Sequence, residues 1–169
     1  MDCTIKEKVT MDDITNALFS ASRQGNLPVL KEIFDIIDNV DVTDERGYTP
    51  LIIAAYNNRH EAVKALLNAG ANINATDGSG NTALMGACFK GYPEIAKLLI
   101  DEGADVNALH GNGGTALMFA VMFGRNNMID VLLENGADAT LKDNRGLTAL
   151  DIALQQHNTA GADKLKMPV

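Results

Sequence analysis

Apolar residues fall in short blocks that return at a constant interval, separated by stretches rich in glycine, aspartate and asparagine. "LIIAAY" (51–56), "ALMGACF" (83–89) and "ALMFAVMF" (116–123) form one set of blocks. A second block follows each of them and carries a leucine pair: Leu66-Leu67, Leu98-Leu99 and Leu132-Leu133. Apolar positions recurring at helical spacing predict paired helices, each with one face turned to a neighbour. The longest run, eight residues from Ala116 to Phe123, falls far short of the roughly 18 that a membrane span requires.

The interval is 33 residues, and it is kept at many positions. It links Thr49, Thr82, Thr115 and Thr148; Leu51, Leu84, Leu117 and Leu150; and Ala54, Ala87, Ala120 and Ala153. Gly47, Gly80, Gly113 and Gly146 keep the same step, as do Gly70, Gly103 and Gly136. A fixed period of this length marks a stack of like modules. Each threonine is placed to cap a first helix, its hydroxyl accepting a backbone N–H from the first turn. Pro50 follows one such cap, where its missing donor costs nothing. Gly25, Gly91 and Gly124 allow the turn between paired helices, and Asn58 takes that slot in one copy. Asp44, Asp77 and Asp143, each with glycine three residues on, predict a hairpin-like finger.

The copies read "DERGYTPLIIAAYNNRHEAVKALLNAGANIN", "DGSGNTALMGACFKGYPEIAKLLIDEGADVN" and "HGNGGTALMFAVMFGRNNMIDVLLENGADAT", followed by a shorter "DNRGLTALDIALQQHN". They resemble the ankyrin repeat, whose motif runs D-x-x-G-x-T-P-L-H-x-A-A and then G-H-x-x-V-x-x-L-L-x-x-G-A-D-x-N. A degenerate earlier copy, "NALFSASRQGNLPVLKEIFDIID", keeps Leu18, Ala21 and Gly25. The resemblance implies an all-α solenoid of about five stacked repeats with hairpin fingers and degenerate first and last copies. It covers residues 13–158, with repeats at 11–43, 44–76, 77–109, 110–142 and 143–158. Tails are expected at 1–12 and 159–169, the second holding at most a short turn. Ile52, Met85 and Met118 replace the motif's histidine, exchanging a polar link for apolar packing. The wording of "GNTALMGACFKG" and "TALMFAVMFGR" is similar to short bacterial single-domain members. Some of those are encoded beside catalases, which implies a helper or regulator of an enzyme.

Composition narrows the chemistry. The net charge of −8, without a basic cluster, disfavours a nucleic-acid partner. The mixed charges of "MDCTIKEKVTMDDITNALF" do not form an export signal, so the expectation is a cytoplasmic chain, without excluding a removed leader. Two cysteines, Cys3 in the first tail and Cys88 in an apolar slot, do not make a disulfide framework. His60, His110 and His157 occupy unrelated slots and have no metal-ligand spacing. "GNGG" (111–114) lacks the lysine of a phosphate loop and falls where a finger must turn. No catalytic constellation emerges, and neither a cofactor nor a metal is expected.

A recognition face remains. The resemblance implies that partners meet the concave side, made of finger tips and the outward positions of the first helices. One row there is Arg23, Tyr56, Phe89, Met122 and Gln155; the adjacent row is Gln24, Asn57, Lys90, Phe123 and Gln156. The expected partner-binding residues are Tyr48, Tyr56, Asn57, Asn81, Phe89, Lys90, Met122, Phe123, Arg46 and Arg145. Aromatics and methionine are enriched in interface cores, so the row Tyr56–Phe89–Met122 reads as a contact stripe for another protein. Two alternatives stand beside it: cover of these side chains by neighbouring first helices, and self-association of a chain otherwise expected to be monomeric.

Overall fold

The structure is a computed structural model and describes residues 9–166. The expectations for residues 1–8, including Cys3, and for 167–169 lie outside the described residues. Within them the chain forms ten helices and no strand. They pair as α1 (Met11–Gln24) with α2 (Leu27–Phe34), α3 (Pro50–Tyr56) with α4 (His60–Asn68), and α5 (Ala83–Lys90) with α6 (Pro93–Asp101). The remaining pairs are α7 (Ala116–Met122) with α8 (Asn126–Glu134), and α9 (Ala149–Gln155) with α10 (Thr159–Lys166). The odd-numbered helices pack on one another as an inner layer and the even-numbered helices form the outer layer.

Local sequence sets each boundary. The hydroxyls of Thr49, Thr82, Thr115 and Thr148 accept the backbone N–H three residues on, at 3.2–3.3 Å. Thr10 and Thr148 add a reciprocal aspartate, from Asp13 and Asp151, and complete a capping box. The turn inside each pair needs a left-handed residue, and Asn58 supplies it at φ 58° where the other copies have glycine. In the last copy His157 does the same at φ 56°. Leu51, Leu84, Leu117, Ala54, Ala87, Ala120, Ala153, Val121 and Met118 are buried in one continuous core. Cys88 is inside it, and burial pushes its thiol well above the ordinary range, so it stays protonated and inert.

Neighbouring modules are joined at the finger edge, the outer edge or, around the central repeat, both. At the finger tips the N–H of Gly78 donates to the Arg46 carbonyl at 2.9 Å, Gly111 to Ser79 at 3.1 Å, and Asn144 to Asn112 at 2.9 Å. At the two glycine tips the approach is close: a Cβ on Gly78 would lie 2.9 Å from the Arg46 carbonyl oxygen, and one on Gly111 2.7 Å from that of Ser79. Beyond the outer helices, side-chain oxygens of Asp41, Asn74 and Asn107 accept from Asn72, Asp105 and Asp138 of the next copy at 2.8–3.0 Å. Between the edges, Nε of Arg59 donates to the Arg23 carbonyl at 2.9 Å and Nε of Arg125 to that of Phe89 at 3.0 Å.

Each finger is built on its first residue. Oδ1 of Asp77 accepts from Ser79 and Asn81 N–H at 2.8 and 2.9 Å, and Asp44 and Asp143 repeat the pattern. Desolvation works to raise the Asp143 carboxyl, yet donation from Leu147 and Arg145 holds it below the usual carboxylate range. In the finger that starts with His110, Asn112 takes over the second bond, its Oδ1 accepting from Gly114 N–H at 2.9 Å. The "GNGG" amides are thus spent on turning this finger and joining it to its neighbour.

The expected tail from residue 159 is corrected. Thr159–Lys166 forms α10, which starts 33 residues after α8 and packs on both α8 and α9. Leu165 continues the slot of Leu66, Leu99 and Leu132, but Gly161 and Ala162 stand where the preceding copy has Met128 and Ile129 and mask the pattern. Asn158 starts the helix: its Oδ1 accepts from Gly161 N–H at 3.0 Å, and its amide exchanges bonds with Asn126 at 2.9 and 3.1 Å. Lys164 adds an ion pair to Asp130 of α8. Asn158→Ala removes this cap and leaves the half-buried Asn126 amide short of its partner. We expect a loss of about 1–2 kcal/mol in urea unfolding, with the native circular dichroism spectrum retained.

Candidate functional site

The inner helices end on their largest residues. Tyr56 closes α3, Phe89 is the penultimate residue of α5, and Phe123 caps α7. Register alone aligns Tyr56, Phe89 and Met122, but the side chains sort differently. The Tyr56 and Phe89 rings stack with centroids 5.9 Å apart and planes 15° apart. Phe89 then meets Phe123 edge-on at 4.4 Å, and Phe123 stacks on Phe119 at 6.3 Å. Both geometries suit the ring quadrupole. Tyr56 and Phe123 each keep 42% of their surface exposed, and Phe89 is half-buried. Met122 is half-buried against the core, and lines a groove with Phe119 and Ile152 rather than standing in the row.

The four rings wall a groove of about 240 Å³, floored by Ile52, Met85 and Gly86. Gly86 makes this space. Its slot holds Ser20 in the first copy but Ile53, Phe119 and Ile152 in the three others, so one missing side chain opens a trough between Tyr56 and Phe119. A Cβ at Gly86 would rest 3.6 Å from Cδ2 of Tyr56, in ordinary contact. An adjoining groove of about 370 Å³ lies between Tyr48, Tyr56 and Asn57, with Arg23 and Arg46 on its walls. The Lys90 ammonium sits 4.9 Å from the Tyr56 ring centroid, within cation–π range.

The other expected residues find defined places. Tyr48 is half-buried and lines both ring-walled grooves. Asn57 donates its amide to the Ile53 carbonyl at 2.8 Å, and Asn81 donates to Asp77 at 2.9 Å, so both are positioned as groove walls. Arg46 is exposed on its finger. Arg145 is held on its own finger by Asp143, at 2.9 Å through Nε and 2.7 Å through Nη2, and lines neither ring-walled groove. Phe119 was absent from the expected set. Its signal was the slot sequence Ile53–Gly86–Phe119–Ile152, a gap beside an aromatic.

This arrangement offers stacking, apolar cover and cationic donors, with no nucleophile and base brought together among these residues. Among the described residues, no group of three or more His, Cys, Asp or Glu could hold a metal ion. No described helix is long and apolar enough to cross a membrane.

Paired helices on a 33-residue step, threonine-capped and joined through their fingers, define a repeat protein of the ankyrin class. The family description "Ankyrin repeats (3 copies)" matches residues 18–110, and "Ankyrin repeats (many copies)" matches 99–153. The chain belongs to the ankyrin-repeat family. It is 39% identical over 57 residues to Ankyrin repeat and SOCS box protein 3 of Homo sapiens, covering 34% of this chain and 11% of that protein. It is 36% identical over 70 residues to Probable E3 ubiquitin-protein ligase XBOS31 of Oryza sativa subsp. japonica, covering 41% and 16%. With Ankyrin repeat domain-containing protein 29 of Danio rerio it shares 41% identity over 60 residues, covering 34% and 20%. The chain thus matches a fifth or less of the length of these relatives. Ankyrin repeats generally mediate protein–protein interaction.

The stability of the groove floor is testable. Gly86 lies inside α5 and does not need a left-handed backbone. Gly86→Ala should raise unfolding free energy by about 0.5–1 kcal/mol, read from the urea midpoint. A loss would show that the Tyr56 ring requires the vacant position.

Proposed function

We propose that this chain is a non-catalytic binding module that seats a partner protein on its concave face, with the groove among Tyr56, Phe89, Phe119 and Phe123 as the anchor site. The supporting observation is the exposed row of stacked rings beside a vacancy at Gly86. The fold is complete without covering that row: Tyr56 and Phe123 are large apolar groups left wet. Burying such a side chain under a partner gains about 1.5–3 kcal/mol. The stacked repeats hold the rings in place beforehand, which reduces the ordering cost of association.

The partner is read as a different protein, in the cytoplasm, and an enzyme under regulation is the client that the likeness to short bacterial members brings forward. Arg46, Lys90, Tyr48, Asn57 and Asn81 flank the anchor. Met122 contributes at the edge through the Phe119 groove, and Arg145 through the last finger.

Two variants test the reading from opposite sides. Phe89→Ser with Phe123→Ser removes the walls, while Gly86→Leu fills the trough. Proteins retained by the immobilised wild type should be lost from both variants while circular dichroism stays native. Equal retention by all three would refute the anchor site. Light scattering on the same set separates the rival: a concentration-dependent dimer abolished by either variant assigns the row to a second copy of this chain.

A further inference from the structure

The charge on the concave face runs opposite to that of the molecule. The whole chain carries −8, yet the segments Thr49–Asn57, Thr82–Lys90 and Thr115–Phe123 contain no Asp or Glu, and their single charge is Lys90. Arg23 and Arg46 line the larger groove, next to Tyr48 and Tyr56. Two finger carboxylates on this side, Asp44 and the trough-lining Asp77, are already engaged. Asp44 accepts two backbone N–H groups of its finger, and Asp77 is buried with three donors. Glu45, at a finger tip, is exposed. The acidic excess sits elsewhere, on the outer helices and the loops after them, at Asp38, Glu61, Glu94, Asp101, Glu102 and Glu134.

The cations around the grooves keep free donors. Arg23 takes part in the inter-repeat contact through its carbonyl, which leaves its guanidinium for the groove. Arg46 likewise binds its neighbour only through its backbone. Lys90 rests on the Tyr56 ring, where the ammonium keeps its hydrogen-bonding capacity beside the apolar trough. Two cations thus line the larger groove, and a third rests on the Tyr56 ring that this groove shares with the Gly86 trough, in an acidic protein. That is complementarity to a partner carrying carboxylates next to a large apolar side chain.

Resting on the concave-face reading above, we infer that the partner presents an acidic segment with an aromatic or aliphatic anchor. The anchor enters the trough over Gly86, and flanking carboxylates pair with Arg23, Arg46 and Lys90. The overall charge repels acidic proteins at long range, so recognition depends on the short-range field of this face and on the anchor together. An acidic surface without the anchor gains only exposed ion pairs, each worth little. An apolar segment flanked by lysines meets like charge. Both are rejected, which is how the face is selective.

A displayed library of random peptides, selected on the immobilised full chain at low salt, tests this directly. Enriched peptides should share Asp or Glu beside Phe, Leu, Ile or Met. A synthetic consensus peptide should bind in fluorescence anisotropy, and Arg23→Glu with Arg46→Glu should weaken it by about tenfold or more. Raising the salt from about 50 to about 500 mM should weaken it too, and Gly86→Leu should abolish binding. Both arginine side chains are exposed, so circular dichroism should stay native in the double variant.

Enrichment of neutral or basic peptides that Gly86→Leu still blocks would overturn the charge inference and leave the anchor groove standing. Acidic peptides indifferent to Gly86→Leu would overturn the paired-anchor claim. No enrichment of any peptide would count against both this inference and the concave-face reading. A low-salt dimer broken by Arg46→Glu would replace the foreign partner by the acidic outer face of a second copy.

Discussion

Everything on the concave face depends on the backbone bond passed from finger to finger. Gly78 to Arg46, Gly111 to Ser79 and Asn144 to Asn112 are the same contact, made once per module. A repeat stack has no long-range contacts to correct an error in spacing, so register must be set at each junction. At two of these tips a glycine lets the backbones approach so closely that the carbonyl of the preceding finger lies where a Cβ would stand, whereas Asn144 makes the third bond with a side chain in place. Side-chain acceptors at the outer edge, Asp41, Asn74 and Asn107, hold the first three junctions, so the two junctions on either side of the central repeat are held at both edges. Where both edges are held, the central repeat can neither slide nor rotate against its neighbours.

That constraint delivers the rings. Equivalent residues on adjacent inner helices fall into line because the junctions are alike, and line-up places Tyr56 on Phe89 with nearly parallel planes. The next step is different because the slot of Tyr56 and Phe89 holds Met122, and the ring stands one residue further on at Phe123. Phe123, as the residue just beyond α7, swings its ring to the edge of Phe89, while Met122 drops against the core. Aromatic pairs of this geometry hold about 0.5–1.5 kcal/mol beyond their area, so the row is a settled surface and needs no partner to order it. The vacancy at Gly86 is what turns a row into a receptor.

Much of this was legible in the sequence, for identifiable reasons. Threonine caps, finger aspartates and turn glycines are local devices, and their 33-residue recurrence could be read without coordinates. The core followed the same step: Leu117, Ala120, Val121 and Met118 are buried as expected. The fifth outer helix escaped because Gly161 and Ala162 stand where the preceding copy carries Met128 and Ile129, and because its start depends on Asn158 meeting Asn126 from another repeat. Phe119 escaped for a related reason. A slot shared by isoleucine, glycine, phenylalanine and isoleucine reads as core until the groove over Gly86 is seen. Which ring meets which is a matter of side-chain rotamer, and register does not carry it.

The account is tested most directly by proton nuclear Overhauser contacts in the isolated chain, with a soluble paramagnetic agent to report exposure. The central claim predicts ring-to-ring contacts from Tyr56 to Phe89 and from Phe89 to Phe123, together with strong broadening of Tyr56 and Phe123 resonances and none of Met118. Missing ring contacts, or Tyr56 and Phe123 protected to the level of Met118, would contradict it.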